Sequence, residues 1–422
     1  QAYTVNRTYT VPTDLATEAY YVFVVSDPTR YGPTGEVFEA ANERNNDRAS
    51  SVPMIIELPP PSDLVVTDID IPAQARSGEP ITIRWTVKNQ SGVPATGTWT
   101  DSVFLSTDAT WDINDRSLGR LQFSGGSLAA DGSYTLSLTA TMPPAAPGSY
   151  RVIVRTDIFN QVYEGLDEAN NRTASASTLT VAVDELVIGA PLTTSLAPGQ
   201  EKLYQITVPR DQTLRVLLNA GDDKSANEIF LRHGAVPTSA TFDATYQGSL
   251  SSDLTAIVPS TEPGVYYLLV RNFNAPTAGV EITLLAQLLP LVITDVHTDV
   301  GGDSRYVTTT ILGAQFSDDA IVKLVRPGIA EYEPLVWQVV DSSKIIATFD
   351  FTGAPHGLYD LKVINPSGDT AIVPYRFLVE RAIEPEVTIG IGGPRVILAG
   401  DQATYSVALQ NLANVDAPYT YF

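Results

Sequence analysis

The chain lacks cysteine altogether and has only three histidines among its 422 residues. The absence of cysteine excludes thiolate catalysis, cysteine-ligated zinc and disulfide bonds. The histidines, His233, His297 and His356, stand far apart, and none belongs to a metalloprotease or serine-hydrolase motif. Because no nucleophile–base pair can be distinguished, the sequence predicts a protein that is not an enzyme.

Clusters of basic residues and long apolar runs are also absent. The formal net charge is −22, so the surface repels nucleic acid, which needs clustered Lys and Arg. No apolar run reaches the roughly 20 residues that span a bilayer, and the segment 284–293 is short and contains Pro290. The sequence therefore predicts no nucleic-acid partner and no direct membrane insertion. Its acidic, cysteine-free composition is typical of secreted bacterial proteins and predicts an extracellular or cell-surface location.

Short runs of alternating β-branched and aromatic residues dominate what is present. Glycine and proline, 29 of each, lie mostly between these runs, where turns need fixed or positive φ. No amphipathic helix of more than two turns is visible. The pattern predicts an all-β fold of tandem Ig-like β-sandwich domains, which short linkers join into an elongated array. The clearest runs are YYVFVVSD (20–27), ITIRWTVKN (81–89), YTLSLTAT (134–141), YRVIVRTD (150–157), LRVLLNA (214–220), VYYLLVRN (265–272) and YDLKVIN (359–365).

Two stretches of the chain recur. YYVFVVSD (20–27) matches YRVIVRTD (150–157), and EAANERNND (39–47) matches EGLDEANNR (164–172). The second match aligns Glu43 with Glu168, and the offsets differ by five residues. A difference in the length of the intervening hairpin explains this, because hairpins vary without disturbing the flanking strands. The recurrence indicates a repeated module.

A third copy begins near the end of the chain. SGEPITIRWTVKN (77–89) resembles AGDQATYSVALQN (399–411), and each has a Gly and an Asn eleven residues apart. Copy one lacks its front, copy two is whole and copy three lacks its back. This arrangement predicts a segment of a longer repetitive protein with unnatural ends.

Residues 62–183 resemble a CARDB module, the cell-adhesion-related domain of bacterial surface proteins. The resemblance rests on DLVVTDIDIP (63–72), SGEPITIRWTVKNQSG (77–92), DSVFLSTDATWDINDRSLG (101–119) and VYEGLDEANNR (162–172). It implies an extracellular, non-catalytic β-sandwich. Trp85 lies in the middle of a predicted strand, at an inward position typical of sandwiches.

Two further families are resembled downstream. GQEKLYQITVP (199–209), NEIFLRHGAVPT (227–238) and PGVYYLLVRN (263–272) resemble a pre-peptidase C-terminal (PPC) domain, a β-sandwich attached to secreted peptidases. NEIF stands where that family has an acidic D-x-D-L, so no ligand is carried over to that point. VTTTILGAQF (307–316) and HGLYDLKVINPSG (356–368) resemble an IPT/TIG domain, an Ig-like fold.

The repeat and the resemblances together predict five parts. These are residues 1–58, the C-terminal part of a CARDB-like sandwich; 62–183, a complete CARDB-like sandwich; 184–288, a PPC-like β-sandwich; 291–381, an IPT/TIG Ig-like domain; and 384–422, the N-terminal part of a further CARDB-like or Ig-like repeat.

Two acidic loops are candidates for calcium, because Ca²⁺ takes six to eight oxygen ligands from carboxylates, amides and carbonyls. One loop contains Asp157, Glu164, Glu168 and Asn171; the other contains Asp108, Asp112, Asn114 and Asp115. The alternative is turn chemistry, since Asx side chains bond the local backbone and Asn tolerates left-handed conformations. The second loop also lacks the glycine and terminal glutamate of known calcium loops. Calcium is the only cofactor that the sequence suggests.

The leading hypothesis is a non-catalytic structural or adhesive segment of a large extracellular bacterial surface or fibre-forming protein. Its partners would be neighbouring copies or other repeats of the same protein. The alternative is an accessory region, for substrate binding or spacing, of a secreted hydrolase whose catalytic domain lies elsewhere. Trp99, Trp111 and Trp337 are predicted nearer to loops, and stacking on sugars there would make cell-surface glycans a partner.

Overall fold

The computed structural model describes residues 2–12, 15–28, 37, 39, 45–57, 60–274, 279–400 and 402–417. The regular structure of these residues consists of strands, which confirms the predicted all-β class. Within these ranges no helix has the length and apolarity that a membrane crossing requires. The chain divides into two compact units: the first contains residues 1–75, 79–143 and 148–181, and the second contains residues 76–78, 144–147 and 182–422.

The first thirteen strands begin with two short pairs near the N-terminus and continue with the strands of a sandwich. They are β1 (Ala19–Tyr20), β2 (Phe23–Val25), β3 (Asp47–Ala49), β4 (Met54–Ile55), β5 (Leu64–Asp70), β6 (Gln74–Arg76), β7 (Pro80–Asn89), β8 (Ala95–Ser106), β9 (Arg116–Leu128), β10 (Ser133–Thr141), β11 (Gly148–Arg155), β12 (Arg172–Ala174) and β13 (Leu179–Ala182).

Two sheets form the sandwich of residues 64–182. One has the strand order β10-β7-β5, and the other has the order β6-β13-β11-β8-β9, with β12 beside β11. Along β7 buried and exposed residues alternate, because successive side chains of a strand point to opposite faces. Its residues Ile83, Trp85 and Val87 are fully buried. The inward position predicted for Trp85 is therefore confirmed.

The short strands near the N-terminus repeat the pairing of this sandwich. In the β2–β3 pair Phe23 lies opposite Ala49, and in the β11–β12 pair Ile153 lies opposite Ala174. The offset is 130 residues on the first strand (23 to 153) and 125 on the second (49 to 174). These are the offsets of the sequence repeat, so the repeat extends to backbone pairing. The predicted length difference falls in the hairpin 28–37, of which residues 29–36 lie outside the described residues.

Twenty further strands lie in the described residues of the second unit. They are β14 (Asp184–Glu185), β15 (Leu192–Leu196), β16 (Glu201–Val208), β17 (Thr213–Ala220), β18 (Asn227–His233), β19 (Ala244–Thr245), β20 (Leu254–Val258), β21 (Gly264–Asn272), β22 (Val280–Leu289), β23 (Val292–His297), β24 (Val300–Gly302), β25 (Tyr306–Ala314), β26 (Ile321–Arg326), β27 (Ala330–Tyr332), β28 (Val336–Asp341), β29 (Lys344–Asp350), β30 (Gly357–Ile364), β31 (Thr370–Glu380), β32 (Val387–Gly392) and β33 (Ser406–Asn411).

Four larger sheets of the second unit enclose two separate apolar cores. The sheets β14-β16-β21-β18-β19 and β15-β22-β17-β20 bury one core, which includes Ile206, Val216 and Leu231. The sheets β23-β25-β29-β28 and β24-β31-β30-β26-β27 bury the other, which includes Phe349 and Tyr359. The first core lies within the segment 184–288, which the sequence assigned to one sandwich. The second core draws on the segment 291–381 but also includes Val415, from the segment that the sequence assigned to a further repeat. The exact five-part division stays a prediction.

The hairpin β32–β33 repeats a local feature of the β5–β7 pair. Asn411 Nδ2 donates a hydrogen bond to the carbonyl oxygen of Val415 at 2.8 Å, as Asn89 Nδ2 does to that of Val93 at 2.7 Å. Both pairs are offset by 322 residues (89 to 411 and 93 to 415). The third copy that the sequence indicates therefore has the same turn as the second.

Candidate functional site

The Glu164 loop (residues 156–171) connects β11 to β12. It carries four of the predicted calcium ligands: Asp157, Glu164, Glu168 and Asn171. The Thr156 N–H donates to the carbonyl oxygen of Asn171 at 2.8 Å and closes the loop, as the Ser26 N–H does to that of Asn46 at 2.8 Å. The loop closure is therefore part of the repeated module.

Asp157 organises the start of this loop. Its backbone is left-handed, with a φ of 43°, and its carboxylate accepts hydrogen bonds from the N–H groups of Gln161 and Val162 at 2.8 and 2.7 Å. The equivalent Asp27 has a φ of 47° and accepts from the Val37 N–H at 2.8 Å. Burial raises the pKa of Asp157, and the two backbone hydrogen bonds oppose that shift. This aspartate shapes the turn, as the alternative interpretation of the cluster requires.

Glu164 is in a different position, because its side chain is fully buried. Within the described part of the chain, neither of its carboxylate oxygens has a hydrogen-bond partner. Burial, together with the nearby carboxylate of Glu168, raises the pKa of Glu164 to about 8. The Leu64 N–H and the Asn171 side chain oppose the shift without completing a hydrogen bond. Glu164 is therefore a buried acid that carries a proton at neutral pH and has no cationic partner among the described residues.

Four buried oxygens of the loop have no hydrogen-bond partner among the residues that the structure describes: both carboxylate oxygens of Glu164, Oε2 of Glu168 and Oδ1 of Asn171. Burial also raises the pKa of Glu168, although its Oε1 accepts from the Glu164 N–H at 3.3 Å. In the described ranges no three His, Cys, Asp or Glu side chains are grouped as metal ligands. A cation here would therefore also need amide, main-chain or water oxygens. Glu43, the first-copy counterpart of Glu168, lies outside the described residues.

The segment that leads into β5 runs across the Glu164 loop. The N–H and hydroxyl of Ser62 both donate to the carbonyl oxygen of Tyr163, at 3.1 and 3.3 Å. Asn170 Nδ2 donates to Asp63 Oδ1 at 2.9 Å. Sequence reasoning missed these contacts, because their partners lie about a hundred residues apart and belong to no common motif.

The turn between β8 and β9 holds the other four predicted ligands: Asp108, Asp112, Asn114 and Asp115. Asp108 Oδ1 accepts from the Thr110 N–H at 2.7 Å, and Asp112 Oδ1 accepts from the Asn114 N–H at 2.6 Å. Asp115 Oδ2 accepts from the Asp112 N–H at 3.0 Å. Asp108, Asp112 and Asn114 are exposed. These contacts are the Asx-turn chemistry of an acidic hairpin turn.

The three histidines lie apart, and in the described ranges their ring nitrogens contact carboxylate or carbonyl oxygens. His356 Nε2 is 2.7 Å from Asp303 Oδ2, and His297 Nε2 is 3.7 Å from Asp295 Oδ2. His233 Nε2 contacts a backbone carbonyl oxygen at 3.2 Å. None of these contacts forms the base–nucleophile pair that covalent catalysis requires.

A buried polar network in the sandwich core was not predicted. The Asp101 carboxylate accepts hydrogen bonds from Trp85 Nε1 at 2.7 Å, Thr156 Oγ1 at 2.7 Å and the Tyr134 hydroxyl at 2.9 Å. Burial raises the pKa of Asp101, and these three hydrogen bonds oppose the shift. Trp99 Nε1 donates to the Tyr134 hydroxyl at 2.9 Å. The only sequence signal was an aspartate at the head of the apolar run DSVFLS.

The predicted sugar-stacking role of Trp99 is wrong, because this side chain is fully buried in the same core. Trp99 stacks on Phe123 with ring centroids 4.2 Å apart. Trp111 is half-buried, with the Arg155 guanidinium 4.1 Å from its ring centre. Trp337 remains 46% exposed. Of the three aromatic candidates, Trp337 alone keeps much of its surface in solvent.

Residues 61–175 match the family model of the CARDB domain. No curated protein matches the chain. The CARDB domain of a Pyrococcus furiosus protein, solved in complex with di-metal ions, is 23% identical, with a TM-score of 0.22. That likeness covers 29% of this chain and 89% of that one.

Two other solved structures are similar over comparable shares of the chain. The pre-peptidase C-terminal domain of a Bacillus anthracis collagenase is 16% identical, covers 25% of this chain and 94% of that one, and has a TM-score of 0.21. A Listeria innocua beta-glucosidase in complex with glucose is 18% identical, covers 29% of this chain and 16% of that one, and has a TM-score of 0.20. CARDB and pre-peptidase C-terminal domains are non-catalytic.

Proposed function

We propose that the protein is a non-catalytic structural or adhesive segment of a large extracellular bacterial surface or fibre-forming protein. The recurrence of one module, with matched strand pairing and matched loop hydrogen bonds, carries the proposal. Serial modules of this kind transmit force or project a distal element, and this work requires no reaction. The CARDB match of residues 61–175 supports the same role.

The first and third copies expose apolar side chains that the second copy buries. Val24 is 65% exposed, whereas its counterpart Val154 is fully buried. Val407 is 51% exposed, and its counterpart is the buried Trp85. Such exposed apolar faces mark interaction surfaces. In this proposal strands of the same module type cover them, supplied by the remaining repeats of the same protein or by another copy of the chain.

Light scattering coupled to size-exclusion chromatography tests this assembly. The full chain should associate as its concentration rises, because its apolar faces are then covered. A matched control with Val24→Asp and Val407→Asp, which places a charge on each exposed face, should stay monomeric. A full chain that stays monomeric at every concentration would contradict the proposed partner. Removal of the protein from intact producing cells by added protease would support the surface location.

A second candidate is an accessory region of a secreted hydrolase. The three stretches that resemble a PPC domain include β16, β18 and β21, which are adjacent strands of one sheet.

Trp337 supplies an aromatic face for cell-surface glycans in this second candidate. Its Nε1 donates a hydrogen bond to the Ala320 carbonyl oxygen at 3.0 Å, which fixes the ring. Binding to insoluble polysaccharide that Trp337→Ala abolishes would favour this candidate. If the unaltered chain does not bind insoluble polysaccharide, the accessory-region candidate is contradicted.

A further inference from the structure

The Glu164 loop contains acidic oxygens that the fold leaves without partners. Glu164 is fully buried and both of its carboxylate oxygens are unpartnered, and the neighbouring Asn171 Oδ1 is buried and unpartnered as well. A buried charge is costly unless it is paired or coordinates a metal. In native structures an unsatisfied buried group of this kind often marks an absent water or ion.

We propose that the Glu164 loop binds one Ca²⁺ through Glu164, Glu168 and Asn171, and that the bound ion holds residues 61–64 against the loop. The available donors are oxygens only, which favours a hard cation over zinc or copper. Ca²⁺ accepts irregular sets of six to eight oxygens that include backbone carbonyls and waters, whereas Mg²⁺ demands a near-ideal octahedron. Two carboxylates and one amide therefore suffice when main-chain oxygens or waters complete the shell.

The loop is placed to transmit cation binding to the start of the sandwich. Ser62 bonds to the Tyr163 carbonyl oxygen, and Asp63 bonds to the Asn170 side chain. A Cβ built on Gly165, whose φ is 68°, would lie 3.2 Å from Pro61, so the two segments are in close contact. An ion that fixes the side chains of Glu164 and Asn171 therefore also fixes the part of the Glu164 loop that contacts residues 61–64. This binding goes beyond the proposed structural role and does not depend on self-association.

The turn at 108–115 provides an internal control. Its carboxylates are similar in number, but those of Asp108, Asp112 and Asp115 already accept backbone hydrogen bonds. Because these bonds satisfy carboxylate oxygens in exposed turns, the turn needs no cation. We therefore expect Ca²⁺ to bind at the Glu164 loop and not at the turn 108–115, although the two have similar numbers of acidic residues.

The test compares the full chain with Glu164→Gln and with Asp112→Asn as the matched control. The probes are Ca²⁺, and Tb³⁺ excited through tyrosine, since Tyr163 adjoins the site. The unaltered chain and the control should bind Ca²⁺ with a Kd of about 0.1–1 mM, as extracellular modules do. Glu164→Gln should weaken binding at least about tenfold and abolish most Tb³⁺ emission. Calcium at about 10 mM should raise the Tm by at least about 3 °C in the unaltered chain and in the Asp112→Asn control, but not in Glu164→Gln.

Hydrogen exchange provides a second readout, because calcium should slow exchange of the Ser62 and Leu64 amides in the unaltered chain but not in Glu164→Gln. If that variant does not fold by circular dichroism, the partly exposed Glu168→Gln replaces it. Equal responses to CaCl₂ and to NaCl of matched ionic strength would overturn the proposal. So would unchanged calcium affinity in Glu164→Gln or Glu168→Gln, or loss of binding in the Asp112 control only.

Discussion

Replacing Asp101 with alanine should strongly destabilise the sandwich of residues 64–182. The carboxylate is fully buried and accepts three hydrogen bonds, from Trp85, Tyr134 and Thr156. The Trp85 indole N–H is fixed by its ring and has no other acceptor within this network. Removing the carboxylate therefore leaves a buried donor unsatisfied.

The magnitude follows from the separate contacts. A buried donor left without an acceptor costs about 1–3 kcal/mol, and each ordinary hydrogen bond that is lost costs about 1 kcal/mol. The Tyr134 and Thr156 hydroxyls can turn toward each other, since their oxygens are 3.2 Å apart. Their losses are thus partly recovered. The free energy of unfolding should fall by about 2–4 kcal/mol in Asp101→Ala.

Urea unfolding followed by tryptophan fluorescence measures this loss. Three of the four tryptophans, Trp85, Trp99 and Trp111, lie in this sandwich, so its transition dominates the signal. Asp101→Asn is the matched control. Its amide oxygen can accept from Trp85 and its amide nitrogen can donate to a hydroxyl, so it should lose less stability than Asp101→Ala. An alanine variant within about 0.5 kcal/mol of the unaltered chain would refute the reasoning, because surface changes alone reach that size.

In calcium-free buffer, Glu164→Gln should gain stability relative to the unaltered chain as pH rises from about 5 to about 9. Burial raises the folded-state pKa of Glu164 to about 8, so the stability that its protonated form contributes is lost as pH rises through that value. A difference in Tm between the two proteins that does not change with pH would contradict this. Asn227→Ala should lower the free energy of unfolding in urea by about 1–3 kcal/mol, because Asn227 Oδ1 accepts a hydrogen bond from Asn272 Nδ2 at 2.7 Å in the core. Unchanged stability of this variant would contradict the prediction. Gly313→Ala should lower the free energy of unfolding by about 1–3 kcal/mol, because the added Cβ would lie 2.2 Å from a backbone oxygen. Gly92→Ala should leave the stability unchanged, because no atom lies within 4 Å of the added Cβ. Equal midpoints for these two variants would show that the strand relaxes.

Local sequence was enough for the strands and for the repeat. Period-two alternation placed Trp85 inward, because a strand fixes side-chain direction residue by residue. The recurring clusters at 39–47 and 164–172 indicated equivalent positions, and the carboxylates of Asp27 and Asp157 accept from the N–H groups of Val37 and Val162, which the repeat aligns. Both features depend on residues near one another in sequence, so pattern and spacing carry the information.

Burial of the acidic residues was decided by the tertiary structure. Glu164 and Asp112 occupy similar acidic stretches, but Glu164 is fully buried with unpartnered oxygens, whereas Asp112 is exposed and caps a backbone N–H. The difference arises because residues 61–64 cross the Glu164 loop from about a hundred positions away. No local spacing encodes that crossing.

Trp99 illustrates the same limit. Its position near a predicted strand end suggested exposure, yet Phe123 and Tyr134, from β9 and β10, cover its ring. Sequence alone determined which segments become strands, since that choice depends on local alternation and turn residues. Only the packing of distant strands decided which side chains lose water, because burial depends on neighbours that meet when the two sheets close.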